Sequence, residues 1–359
     1  METRFRESFA EFRGSGSDAA SLARILLDSL SQPFVLESGH ELYIQASVGI
    51  SVYPSDGQTG EILIRNADAA MFRAKDQGRN ALHFYTEALT VQASERLNLE
   101  TGMRRALDQG DFMVWYQPIY RFSDRRIVGA EALLRWRGSD GKLIPPDRFI
   151  PVAEDSGLIL DLGLFVLETA CVDLKRWLDS GLQIETLAIN LSPQQLRGQN
   201  LEQSIAELIA RTGAPAHLLE LEITERGLMD LGQNTLQKLK ALKALGVQLA
   251  IDDFGTGYSS LSYLKRMPVD KLKIDRSFVE GLPSDVSDVA IVQTIVAIAQ
   301  AMQMRVLAEG VEVDAQFDFL ESIGCEECQG YLFGPAVPED QFAEHLRGRP
   351  TPTVLRDRS

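Results

Sequence analysis

The sequence predicts an α/β protein: an irregular (β/α)8 barrel with an antiparallel first strand, preceded by a small α/β remnant unit. Three observations carry this. Eight short apolar segments recur over roughly 250 residues, most of them separated by stretches of helical periodicity. Only Tyr120 to Arg126 separate the first two, too few for a right-handed crossover, which needs about a dozen residues. Residues 1–86 differ in texture and lead into a long polar helical stretch.

In chain order, residues 18–30 read as a helix and 41–53 as a strand region ending at Pro54. Residues 59–77 read as a second helix, with Ala67, Ala70, Met71 and Ala74 on one face and Gly78 closing it. The polar helix 87–108 reads as a connector. The eight strand segments are 112–119, 127–136, 186–191, 218–224, 248–254, 271–274, 305–308 and 327–333. Helices are expected at 151–180, 201–212, 234–245, 259–266, 285–302 and 315–323. The expected domains are 1–86, a linker helix 87–108, a barrel 109–347 and a flexible tail 348–359.

The 359 residues are 45% hydrophobic and 24% charged, a globular balance that excludes a disordered chain. A formal net charge of −15 argues against a basic surface for bulk nucleic acid, so a polyanion binds only through cations placed in a pocket. No apolar run approaches the roughly 18 residues of a membrane span, and Met1 to Ala10 lack the apolar core of a signal peptide. Three cysteines form no disulfide framework and fit a reducing cytoplasm. Cys325 and Cys328 have zinc-knuckle spacing but no second pair, so they read better as core thiols. Four scattered histidines disfavour a His-rich metallohydrolase.

Acids and amides recur at the C-terminal ends of the strand segments: Glu131, Asn190, Glu222 and Glu225, Asp252 and Asp253, Glu309 and Glu312. Barrel enzymes assemble their sites on this rim. Converged carboxylates raise one another's pKa unless a cation holds them, and oxygen-only ligation points to Mg²⁺ or Mn²⁺. Adjacent Asp252 and Asp253 can serve two ions if a kink turns both inward, and Gly255 and Gly257 supply backbone freedom for it. Two ions about 3.5–4 Å apart are suited to phosphodiester cleavage. Lys273 and Asp275 share a strand face; Lys273 is either a structural counter-ion or a water-positioning group. Arg135, on the face of Glu131, either grips a phosphate or pairs with a neighbouring acid.

These residues resemble the EAL-type cyclic-di-GMP phosphodiesterases. The resemblance lies in Glu131-Ala132-Leu133, Tyr116-Gln117-Pro118-Ile119, residues 145–151 (PPDRFIP), Asn190-Leu191-Ser192 and Glu222-Ile223-Thr224-Glu225. It continues through residues 252–260 (DDFGTGYSS), Lys273-Ile274-Asp275, residues 308–312 (AEGVE) and Gln329-Gly330-Tyr331. It implies a divalent-metal hydrolase that opens cyclic-di-GMP to the linear dinucleotide. Glu131, Asn190, Glu222 and Asp252 become metal ligands, and Asp253 holds the second ion with Asp252. Glu309 is a ligand or base, and Lys273 positions the water. Gln117 and Arg135 contact substrate, with Gln329 and Glu312 as supporting groups. Glu225 anchors the loop carrying Gly255, Thr256 and Gly257, which in this family couples metal binding to homodimerisation. One departure stands out: Pro335-Ala336 occupy places where the family carries a basic residue followed by proline, which bears on the grip on one guanine.

Residues 1–86 resemble the C-terminal half of a GGDEF-type diguanylate cyclase domain, through Ser47-Val48-Gly49-Ile50-Ser51 and residues 67–80 (ADAAMFRAKDQGRN). Phe5 and Arg6 stand where the signature turn requires glycines that admit phosphate to the backbone, so no cyclase activity is expected. This segment is either a regulatory or dimerisation piece or a leftover with little core. Two alternatives remain: a non-hydrolysing cyclic-di-GMP receptor, and a hydrolase for another phosphodiester.

Overall fold

The computed structural model describes residues 16–30, 34–35, 41–42, 46–76, 80–198, 200–229, 235–257 and 264–348. Contacts divide the chain into two units, residues 1–101 and 102–359. The helix Glu87–Gln109 contains the boundary.

In the first unit a helix, Gly16–Leu30, precedes the antiparallel pair β1 (Phe34–Val35) and β2 (Glu41–Leu42). The strand β3 (Val48–Ile50) pairs in parallel with β4 (Leu82–Phe84), and the helix Gly60–Asp76 lies between them in sequence. That helix buries Ala70 and Ala74 completely, the small-residue face expected from their spacing. Instead of continuous strand over 41–53, the chain turns after β3, where Asp56 N–H donates to the Val52 carbonyl at 2.8 Å. Phe5, Arg6 and Gly78 lie outside the described residues.

The second unit is a closed barrel of eight strands. They are β5 (Phe112–Arg121), β6 (Ile127–Arg137), β8 (Thr186–Asn190), β9 (Leu219–Thr224), β10 (Gln248–Phe254), β11 (Lys271–Ile274), β12 (Arg305–Ala308) and β13 (Glu327–Cys328). Short strands β7 (Leu143–Ile144) and β14 (Val337–Pro338) extend the ladder beside β6 and β5. Neighbours from β6 round to β13 pair in parallel, whereas β5 is antiparallel to both β6 and β13. The short connection from β5 to β6 enforces this: it makes a turn, closed by Arg125 N–H to the Arg121 carbonyl, and cannot carry a crossover.

The apolar core lies mainly between strands and outer helices. Tyr116 on β5 packs edge-on against Trp177 of the helix Ile159–Asp179, centroids 4.8 Å apart, and its hydroxyl donates to Asp173 at 2.5 Å. The barrel interior is small and layered: Ile119, Val128, Ala188 and Leu307 form a separate buried cluster there. Along β5, β8 and β12 the residues two before and two after this layer are polar: Gln117 and Arg121, Thr186 and Asn190, Arg305 and Glu309.

Two expectations are corrected. The helix expected over 151–180 is two helices, Pro146–Ser156 and Ile159–Asp179, broken where Gly157 takes φ 79. The last barrel strand stops at Cys328 rather than Phe333, and Gln329–Phe333 leave the ladder. Gly330 passes so close to the preceding rim loop that an added Cβ would lie 2.2 Å from the Val311 carbonyl oxygen. Gly330→Ala is therefore expected to lower stability by roughly 1–3 kcal/mol, as overpacking does, read as an earlier midpoint in urea unfolding. Of the expected helix 259–266, residues 259–263 lie outside the described residues, as do Tyr258 and most of the tail 348–359.

Candidate active site

The C-terminal ends of the parallel strands bring the expected acids together. Glu131 sits on β6, Asn190 on β8, Glu222 on β9, Asp252 and Asp253 on β10, and Lys273 on β11. Glu309 follows β12 and Gln329 follows β13. The ladder explains the convergence: Glu131 registers with Ala188, Asn190 with Glu222, and Glu222 with Ala250, so residues two apart point into the barrel on successive strands.

Lys273 is the hub. Its Nζ lies 2.7 Å from Glu222 Oε2, 2.7 Å from Glu309 Oε1, 3.1 Å from Asp252 Oδ1 and 3.7 Å from Glu131 Oε2. Glu131 is further held by amides: Asn190 Nδ2 donates to Oε1 at 2.6 Å and Gln329 Nε2 to Oε2 at 2.7 Å. Gln329 Nε2 also donates to Glu309 at 2.9 Å, so it ties two acids together from beneath the rim loop. Glu222 Oε1 is buried and has no hydrogen-bond partner among the described residues. Oxygens of Asp252, Asp253 and Glu309 lie within 4.8 Å of one another.

Four carboxylates facing one buried ammonium, with Asp253 beside them, shift one another. Burial, with the charges of Glu131, Asp252 and Glu220, pushes Glu222 well above the usual carboxylate range despite Lys273. Burial and then Asp252 and Glu131 push Glu309 up to about 8. Burial, Asp252 and Asp275 push Asp253 up to about 6. Glu131 resists burial and stays low because Lys273, Gln329 and Asn190 favour its charged form. Burial pulls Lys273 down, but Asp252, Glu131, Glu222 and Glu309 outweigh it and hold the ammonium well above its ordinary value.

The kink expected from the glycines begins two residues before Gly255, at Asp253. Asp253 itself takes φ 53, and the ladder to β11 slips between Ile251 and Phe254. A non-glycine residue in this region costs about 1–3 kcal/mol, tolerated here because the bulge separates two adjacent acids. Glu225, buried, accepts from Gly255 N–H at 2.9 Å and Gly257 N–H at 3.2 Å, and Thr256 Oγ1 donates to the Asp253 carbonyl. The loop after the acids is thus tied to the end of β9.

Gln117 lies directly opposite Glu131 in the β5–β6 ladder. Arg135 is half-buried; its guanidinium stacks 5.7 Å over Trp115, donates to the Leu134 carbonyl, and makes no ion pair among the described residues. A cavity of about 280 Å³ is lined by Arg135, Leu133, Ile150, Glu154 and Asn190, the last of which bonds Glu131. Two residues sit apart from the cluster: Glu312 is exposed and paired with Arg276 at 3.0 Å, and Pro335 is exposed. Asp275 borders the cluster at Asp253 and also caps a short helix by accepting from Ser277 N–H at 3.1 Å. Cys325 and Cys328 are buried free thiols that burial pushes up, Cys328 to about 12.

Sequence reasoning missed a second buried network one layer down. Lys271 Nζ contacts Glu220 at 2.8 Å and Glu327 at 2.7 Å, and Arg305 reaches both acids at 3.2 and 3.0 Å. Gln248 accepts from Arg305. The signal was present: Glu220, Lys271 and Glu327 each lie two residues before Glu222, Lys273 and Gln329.

Comparison with known proteins gives two family matches. The profile described as EAL domain matches residues 101–336, and that described as diguanylate cyclase, GGDEF domain, matches residues 12–81. A relative from Pseudomonas aeruginosa, the bifunctional diguanylate cyclase/cyclic di-GMP phosphodiesterase MucR, is 44% identical over 91% of this chain and 47% of its own length. Another from that organism, the cyclic di-GMP phosphodiesterase NbdA, is 41% identical over 92% of this chain and 42% of its own. This chain therefore spans less than half the length of these relatives. The solved structure of the MucR phosphodiesterase in complex with c-di-GMP is 41% identical, with a TM-score of 0.66, over 68% of this chain and 99% of that one.

Proposed function

The chain belongs to the EAL-domain family, with a GGDEF-domain match before it, and we propose that it is a metal-dependent phosphodiesterase hydrolysing cyclic-di-GMP to linear pGpG. The observation that carries this reading is the set of four carboxylates converging on a single ammonium at the barrel mouth, with Asn190 bonded to one of them and a fifth acid, Asp253, beside two others. One lysine cannot neutralise five acids, so Glu222, Asp253 and Glu309 are pushed toward their protonated forms.

The donors fit a hard divalent cation: all are oxygens, those of three acids lie within 4.8 Å of one another, and Glu222 Oε1 is buried with no hydrogen-bond partner among the described residues. Glu131, Asn190, Glu222, Asp252, Asp253 and Glu309 would hold two ions, Mg²⁺ or Mn²⁺. Such ions, when bound, supply an acidified water and neutralise charge growing on the phosphate. The chain's own groups do the rest. Arg135, a cation without a carboxylate partner, faces the phosphate charge, with Gln117 beside Glu131 as a second polar contact. Glu309, a ligand or base in this reading, would accept the proton of the attacking water. Gln329 bonds both Glu131 and Glu309 and holds the two carboxylates in place, and Lys273 positions the attacking water. In-line attack at phosphorus then expels the ribose 3′ oxygen and opens the ring.

Residues 109–347 form the hydrolase in this reading, and residues 1–86 are a degenerate cyclase remnant joined through helix 87–108. The Glu225-anchored loop couples the site to a homodimer. We place the chain in the cytoplasm, where its free thiols stay reduced; no helix among the described residues is long and apolar enough to cross a membrane.

Chromatography of products after incubation with cyclic-di-GMP and Mg²⁺ or Mn²⁺ tests the proposal. Linear pGpG is expected, and none with a chelator. Nucleotide that stays bound and intact in the presence of the cation would favour the receptor, with Pro335 and Ala336 the first positions to restore.

A further inference from the structure

We propose that Lys273 is the resident cation of the site: its ammonium holds the carboxylates together when no metal ion is present, and a metal ion binds in competition with it. This rests on the metal-site reading above.

Three observations carry the inference. The ammonium is saturated, because its three N–H groups match three close acceptors, Glu222 Oε2, Glu309 Oε1 and Asp252 Oδ1. Two of those acids, Asp252 and Glu309, are also two of the three whose oxygens are near enough to share one cation. A cation drawn to these acids therefore meets the ammonium on the same carboxylates. Finally, Lys273 is fully buried between Leu272 and Ile274, both also fully buried, on a strand paired on both sides. Its backbone is fixed, so only its side-chain torsions allow it to give way.

The consequence is thermodynamic. A metal ion pays for displacing the ammonium, and its apparent affinity falls by the fraction of molecules in which the acids are free. The competing requirement is stability: without the ammonium, the cation-free site leaves buried carboxylates facing one another. One lysine thus stabilises the empty site and weakens the loaded one.

The test compares wild type with Lys273→Met, which keeps most of the aliphatic volume. Mn²⁺ affinity is measured by titration calorimetry and the melting temperature with chelator and with Mn²⁺. Binding about tenfold tighter in Lys273→Met is expected, since a competitor has been removed. Its melting temperature should drop in chelator and largely recover with Mn²⁺. Unchanged or weaker Mn²⁺ binding overturns the proposal. If Lys273→Met does not fold in chelator, the double variant Lys273→Met/Glu222→Gln decides: folding regained by removing one charge supports the proposal, and folding not regained overturns it. None of these readouts depends on turnover. Wild type that binds Mn²⁺ but leaves cyclic-di-GMP uncut sinks the hydrolase reading alone.

Discussion

Glu131→Ala should abolish most hydrolysis of cyclic-di-GMP, lowering kcat/KM by roughly 10³-fold, about 4 kcal/mol of lost transition-state stabilisation. Glu131 is the acid with the most defined surroundings. Asn190 and Gln329 each donate to one of its oxygens, and Lys273 lies 3.7 Å away. These contacts keep its pKa low against complete burial, so it is the charged carboxylate on which the others are arranged. Truncation removes a ligand and also strands two buried amide donors, which costs about 1–3 kcal/mol each where no water replaces the acid. Activity assays in saturating Mn²⁺ check the first effect and thermal melts the second. Turnover within tenfold of wild type at full cation occupancy would remove Glu131 from the ligand set.

Lys271→Met should destabilise the barrel by about 3–5 kcal/mol, the usual cost of removing one partner from a buried ion pair. Lys271 is fully buried, and burial alone would lower its pKa, but Glu220 and Glu327 more than reverse that. Without it both acids retain, among the described residues, only the cation of Arg305, which is partly exposed and is shared between them and Gln248. At roughly 2–4 °C per kcal/mol for a domain of this size, the loss is large in a calorimetric scan. Mutating Lys271 together with Glu220 and Glu327 to apolar residues of similar volume should recover much of it, because the desolvation cost then disappears as well. A full-size loss persisting in the triple variant would show that packing around the lysine stem, not charge, holds this layer. The contrast with Lys273 is informative. Both lysines lie on β11 with the same face inward, yet a divalent cation should rescue only the upper one.

Helix 16–30 and the strands at 248–254, 271–274 and 305–308 were legible to within two residues, since each is a local apolar pattern bounded by breakers. The last strand was misread for a physical reason. Tyr331, Leu332 and Phe333 carry strand-like apolar character onward, but after Gln329 the backbone bonds the rim loop instead, with Val311 N–H donating to the Gln329 carbonyl and Leu332 N–H to the Val311 carbonyl. The break at Gly157 was hidden because apolar periodicity continues across it. Glu312 shows the opposite failure. It follows Glu309 by three residues, yet the loop turns it outward to Arg276.

By itself, the sequence determined the order of strands and helices, the antiparallel entry of β5 and the acids at the strand ends. All three depend on short-range facts: alternation along a strand, and a connection too short to cross over. Only the tertiary structure decided which charges meet. That Lys273 rather than Arg135 sits among the acids depends on register between strands far apart in the chain, as do the separate polar layer formed by Lys271 and the left-handed turn at Asp253. Register is set by closure of the whole ladder, and no segment encodes it alone.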